Sequence, residues 1–283
     1  ALTGCAVRSR CAATEKRMSA AARLAAATIA LSLVPTLFDR CSHQKSASPT
    51  GSAPVALLVT AHPDDESMFF GPTLRGLREM GHDMYLLSLT TGDSQGLGPV
   101  RSRELDAAAR EWGVSEAVAL DHPTFRDALS VWDITAASAA VVSYASRIRR
   151  RLSIVVTFDW NGISHHPDHR HAHEAVMAAA HSLTRLGRNV KILQLQSQAR
   201  PFAFSGALGV AFRRIGLSAL FNSADRPAPV HIFHQWSSAN VYRSMQRHHR
   251  SQWRWFRVIH VLLSRYSYIN ELEDMLTPSA SIF

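Results

Sequence analysis

An α/β fold with a mostly parallel sheet is what this sequence predicts, and three observations carry the prediction. Short apolar, β-branched runs alternate with longer stretches of helical period, the signature of βαβ units. Two of those runs, over 55–60 and 154–158, are followed at once by clusters of His, Asp and Asn, and an open α/β sheet keeps its site at the strand ends. The chain has 283 residues, 46% of them hydrophobic, enough to bury a full core.

Residues 1–18 form a basic tail carrying Arg8, Arg10, Lys16 and Arg17. Residues 19–38 are Ala/Leu-rich and read as a membrane anchor helix, a cleaved signal segment or a soluble amphipathic extension. The stretch Leu24 to Phe38 has only 15 residues, short of the ~20 that span a bilayer comfortably. A Ser/Gly/Pro-rich linker covers 39–53 and the globular domain 54–283.

Within that domain a strand at 55–60 leads to a helix over 67–80, stopped by Gly81. A strand over 84–89 and a helix over 99–112, closed by Gly113, come next. Then follow a strand at 116–120, a helix at 134–150, a strand at 153–158 and a helix over 168–184. Strands are expected near 190–196 and 229–234, while 200–228 shows no clear period.

The net charge of +9 lies at the ends of the chain. Residues 53–200 carry fifteen Lys/Arg against sixteen acids, so no basic footprint surrounds the catalytic segment and nucleic acid is an unsuitable partner. Arg243, Arg247, Arg250, Arg254 and Arg257 recur at spacings of 4, 3, 4 and 3, which places them on one face of a C-terminal basic and aromatic helix. That face reads as solvated surface, as a contact for anionic lipid headgroups, or as a partner site.

The chemistry sits in two polar clusters. In Ala61-His62-Pro63-Asp64-Asp65-Glu66, a histidine and a carboxylate three residues apart can share one divalent cation, leaving Asp64 free as a base. Ser164-His165-His166-Pro167-Asp168-His169 supplies further imidazoles, one to complete the metal site and one to face a substrate carbonyl. Asp168 lies between them and can orient His166. Cys5, Cys11 and Cys41 all lie in the first 41 residues, so a metal in the body must use His and carboxylate. Glu66 and Asp93 are supporting residues, and Asp93, Asp127 and Asp133 suit loop capping or sugar hydroxyls.

Together, 61–66 and 166–169 resemble the LmbE-like zinc-dependent N-deacetylases. Thr91-Gly92-Asp93 through Arg101, Phe125-Arg126-Asp127 with Trp132-Asp133, and Phe158-Asp159 with Asn161-Gly162-Ile163-Ser164 extend the likeness. Ser251 to Arg257 and Ser264-Arg265-Tyr266 are similar to the branch that acts on N-acetylglucosaminyl-phosphatidylinositol (GlcNAc-PI).

The resemblance implies a Rossmann-like three-layer sandwich and hydrolysis of an acetamide with Zn2+ or another divalent metal. His62, Asp65 and His169 are the implied metal ligands, Asp64 the general base and His166 the oxyanion residue, with Arg101 and Asp168 toward substrate. The substrate would be the GlcNAc-PI glycolipid, deacetylated in the second step of GPI-anchor biosynthesis at the endoplasmic reticulum membrane by a cytosolic catalytic domain. A soluble GlcNAc conjugate is the alternative substrate, and a silent lipid-binding relative the alternative class. Intact His62, Asp64, Asp65 and His169 oppose silence. Two departures stand out: His165 replaces the glycine usual in eukaryotic members, and Asp159-Trp160 replaces smaller residues.

Overall fold

A computed structural model describes residues 53–127, 129–187, 189–214 and 231–276. The expected tail, anchor and most of the linker lie outside the described residues. Among those residues, no helix is long and apolar enough to cross a membrane.

Among the described residues, seven strands form one sheet: β1 (Val55–Thr60), β2 (Asp83–Ser88), β3 (Glu116–Ala119), β4 (Leu152–Phe158), β5 (Lys191–Leu195), β6 (His231–His234) and β7 (Ile269–Asp274). Their order is β3-β2-β1-β4-β5-β7-β6. The first five are parallel, and β7 joins β5 and β6 antiparallel. Every residue of β1 is buried, as a central parallel strand covered on both faces requires. The strand order reverses between β1 and β4, and a cleft opens where their C-terminal ends part.

The main helices are α1 (Asp65–Glu79), α2 (Gly98–Trp112), α3 (Ile134–Arg147), α4 (Pro167–Leu186), α5 (Gly206–Arg214), α6 (Ala239–Arg247) and α7 (Trp255–Leu263). α3 packs on α4. Right-handed crossovers put α1 and α2 on the other face of the sheet, where α6 packs on α1. The result is a three-layer sandwich. Gly113 closes α2 at φ 74, the left-handed C-cap that glycine permits. The expected helix at 134–150 ends at Arg147, with Ile148 already extended.

β7 was not foreseen, because Asn270, Glu271, Glu273 and Asp274 make it a polar strand. Its polar groups are matched by tertiary partners. Asn270 Oδ1 accepts from Thr73 N (3.0 Å) and Thr73 Oγ1 (2.8 Å), and Asn270 Nδ2 donates to the Phe69 carbonyl (2.9 Å). Pro72 lies between those residues inside α1, where it has no amide to donate and crowds the preceding turn. Asn270 serves that turn from outside.

Candidate active site

The chain must turn from β1 into α1 within Ala61 to Asp64. Asp65 makes the turn by accepting from Ala61 N (3.1 Å) and His62 N (2.8 Å) on Oδ2, which leaves Oδ1 3.1 Å from His169 Nε2. Asp64 is held at φ 123, a region costing a side-chain residue ~1–3 kcal/mol. Its amide donates to Glu66 Oε2 (3.0 Å), and Glu66 Oε1 takes the Ser67 hydroxyl and His249 Nε2, each at 2.6 Å. Arg101 donates to the carbonyls of Pro63 (2.8 Å) and Gly92 (2.9 Å), with Nη2 3.4 Å from Asp64 Oδ1. Gly92, at φ 67, leaves room for that guanidinium, since a Cβ there would collide with it.

The second cluster follows β4. The Asp159 carboxylate accepts from Gly162 N, Ser197 N and Ser197 Oγ at 2.6–3.0 Å, bracing a loop in which Ile163, Ser164 and His165 all have positive φ. This unusual run delivers His166 to the start of α4 and His169 one turn inside it. His169 stacks on Phe158 with ring centroids 4.0 Å apart, and its Nδ1 donates to the Gly162 carbonyl (2.9 Å). That bond leaves the Nε2 lone pair directed at the cleft.

His62 is oriented in the same way by a carboxylate. Its Nε2 lies 2.9 Å from Asp168 Oδ2, leaving Nδ1 3.6 Å from Asp65 Oδ2. One atom each from His62, Asp65 and His169 lies within 4.8 Å of the others, and all three residues are buried. Two nitrogens, one oxygen and outer partners on both imidazoles fit a divalent cation such as zinc. Electrostatics agree. Burial opposes charge on His62, yet hydrogen bonds to Asp168 and Asp65 outweigh it and raise the pKa to about 10. Burial likewise works against ionised Asp65, but His169 and His62 hold its carboxyl well below the usual range. A dication would satisfy the same field.

A cavity of about 370 Å³ gathers His62, Asp64, Asp65, Arg101, His166 and His169 of the expected set. His166 edges His62 at 5.1 Å and stacks on His169 at 4.5 Å. Burial and the neighbouring imidazoles His169 and His62 lower its pKa. Three expected residues sit elsewhere. Asp168 lies behind His62, 2.9 Å from its Nε2, and groups with His62 and His166 in a second potential metal cluster. Glu66 is buried beneath the turn. Asp93 accepts from Gly98 N (2.6 Å) at the start of α2. Asp133 caps α3 through Ala136 N (3.0 Å), whereas Asp127 lines the cavity. His165 belongs neither to the His62, Asp65, His169 group nor to the second potential metal cluster of His62, His166 and Asp168 among the described residues.

Residues 57–180 match the family model described as PIG-L, GlcNAc-PI de-N-acetylase. The Bos taurus protein named N-acetylglucosaminyl-phosphatidylinositol de-N-acetylase is 32% identical over 242 residues, covering 83% of this chain and 89% of the relative. The chain belongs to the PIG-L family. A Streptomyces avermitilis relative named 1D-myo-inositol 2-acetamido-2-deoxy-alpha-D-glucopyranoside deacetylase is also 32% identical, but over 44% of this chain and 52% of its own length. The N,N'-diacetylchitobiose deacetylase of Pyrococcus horikoshii shares the fold, with a TM-score of 0.52 at 19% identity over 81% of this chain and 88% of that one.

The PIG-L match ends at residue 180, yet later residues complete the cavity. Arg257 Nη1 donates to Asp64 Oδ2 at 2.7 Å, and Gln252, Phe256 and His260 line the wall. Burial and the Arg257 charge push the His260 pKa down to about 4. The expected continuous arginine face is corrected here. The helix stops at Arg247 and restarts at Trp255. Between them His249 is drawn into the Glu66 pair, and Ser251 donates through N and Oγ to Glu104 (2.8 and 2.6 Å). Arg243, Arg247, Arg250 and Arg254 are exposed, while Arg257 turns to the site.

Proposed function

We propose that this chain removes the acetyl group of GlcNAc-PI by hydrolysis, at the endoplasmic reticulum membrane and in the second step of GPI-anchor biosynthesis. The observation that carries this reading is the set of three buried donors beside Asp64 in one cavity, in a chain aligned with 89% of a relative so named. His62, Asp65 and His169 would hold the cation, with zinc best suited to their donor set. When bound, such an ion acidifies water and polarises an amide carbonyl.

Asp64 is the base that takes the proton from the attacking water. Arg101 and Arg257 engage its two oxygens, and Arg257, the more exposed of the two, is the one to give way. His166, kept neutral by burial and by His169 and His62, donates an N–H to the oxygen on which charge develops. Losing such a donor costs about a hundredfold to a thousandfold in rate. The proton on Asp64 then passes to the amine, releasing acetate. Arg101 commits its Nη1 and Nη2 to the turn, so it acts on an anionic substrate as a fixed positive charge. Asp168 sets the His62 tautomer.

Acetate release from GlcNAc-PI, measured beside a water-soluble GlcNAc glycoside with and without chelator, tests the proposal. Chelator-sensitive release from the glycolipid supports it. Preference for the soluble compound would favour the second reading, a soluble GlcNAc conjugate, which the Streptomyces relative suggests. No release from either compound would refute both.

A further inference from the structure

We propose that α7 is the rim by which the cavity mouth contacts a phospholipid bilayer, its outward aromatic and aliphatic side chains entering the headgroup layer. Trp255, Phe256 and Ile259 are 76%, 52% and 49% exposed, and their spacing puts them along one flank of the helix. Phe256 also borders the cavity, the other flank carries Arg257 and His260 into its wall, and Val261 is buried. α7 is therefore both wall and surface. Phe204, 48% exposed, sets its ring 5.9 Å from that of His260 and extends the apolar rim. Arg254 immediately precedes the aromatic pair and Arg250 stands one turn earlier in the sequence, both exposed.

Large apolar side chains grouped around a cavity mouth mark a contact surface. Tryptophan beside arginine suits the interface between acyl chains and anionic headgroups. With nine residues, α7 lies in the interface and does not cross it. The bilayer is the occupant because the proposed substrate keeps its acyl chains in the membrane while its sugar enters the cavity. In this respect the inference rests on the proposed function. It also moves the lipid contact from a five-arginine face to the aromatics of α7, with arginines as neighbours.

The test uses the full chain on phosphatidylcholine/phosphatidylinositol vesicles whose acyl chains are brominated near the headgroup. Tryptophan fluorescence should be quenched, and Trp255→Phe should lose most of that quenching while the protein still binds, although five other tryptophans remain. The pair Trp255→Ser with Ile259→Ser should lower kcat/KM on vesicle-embedded GlcNAc-PI by about tenfold or more, and leave turnover of the acyl-free GlcNAc-inositol phosphate headgroup unchanged. Equal quenching in the parent and Trp255→Phe would overturn the inference, because α7 would then be covered by another segment, such as 19–38, or by a second copy. The quenching needs no turnover, so failure of the proposed reaction would be separately visible.

Discussion

Glu66→Ala should both destabilise the protein and slow it, through one buried pair. Glu66 and His249 are fully buried and meet at 2.6 Å. Burial opposes charge on each, but each partner outweighs it, lowering the pKa of Glu66 and raising that of His249. Removing either partner leaves the other unpaired in the interior, at a cost of about 3–5 kcal/mol. In the double variant with His249→Ala no charge is stranded. The two losses should therefore fall short of adding by ~2–3 kcal/mol. Urea unfolding of the four proteins, with the metal content held equal, measures this coupling. Additivity within ~0.5 kcal/mol would refute the buried pair.

The pair also has signatures in pH and in rate. His249 has a raised pKa, so its contribution is complete below its unfolded value of 6.5 and is lost as pH rises through the folded value. The stability gap between parent and His249→Ala should therefore narrow on the alkaline side. Glu66 also accepts the Asp64 amide at φ 123, so its loss lets that residue relax. About a tenfold or greater fall in kcat should accompany Glu66→Ala, the order expected for a misplaced base.

Asp64→Ala should nearly abolish acetate release and leave the bound metal intact by metal analysis, since its proposed role is the base and not a ligand. Asp65→Ala should lose the metal on dialysis together with activity, having removed a proposed ligand whose second oxygen also closes the turn. Asp168→Asn should weaken zinc affinity by about tenfold to a hundredfold with little change in KM; a raised KM at unchanged affinity would return Asp168 to substrate binding. Asn270→Ala should cost ~1–3 kcal/mol in urea unfolding, by leaving the buried Thr73 amide and Phe69 carbonyl without their side-chain partner.

The parallel half of the sheet was legible because its strands are apolar on both faces: Val55 to Thr60 and Leu152 to Phe158 can be little else. That His62, Asp65 and His169 come together was legible because strand ends and helix starts bring such pairs together. What escaped depends on contacts across most of the chain. The polar β7 is a strand because Arg265, Thr73 and neighbouring strands satisfy its side chains. Arg257 joined an apparent stripe because its period ignores the break that Glu66 and Glu104 impose between Arg247 and Trp255. Sequence order pairs Asp168 with His166, and the fold adds a hydrogen bond to His62, 106 residues away.

Asn270 has a consequence for the order in which the protein is made. The turn that carries His62, Asp64 and Asp65 emerges early from the ribosome, whereas His249, Arg257 and Asn270 emerge about 180–200 residues later. Contacts of such separation form slowly and late. A chain released before residue 270 would carry the whole proposed ligand set and its base without the struts that hold α1 at Pro72. Metal loading during synthesis would meet an unbraced turn, and the stretch from His249 to Asn270 decides whether the first cluster becomes an active site.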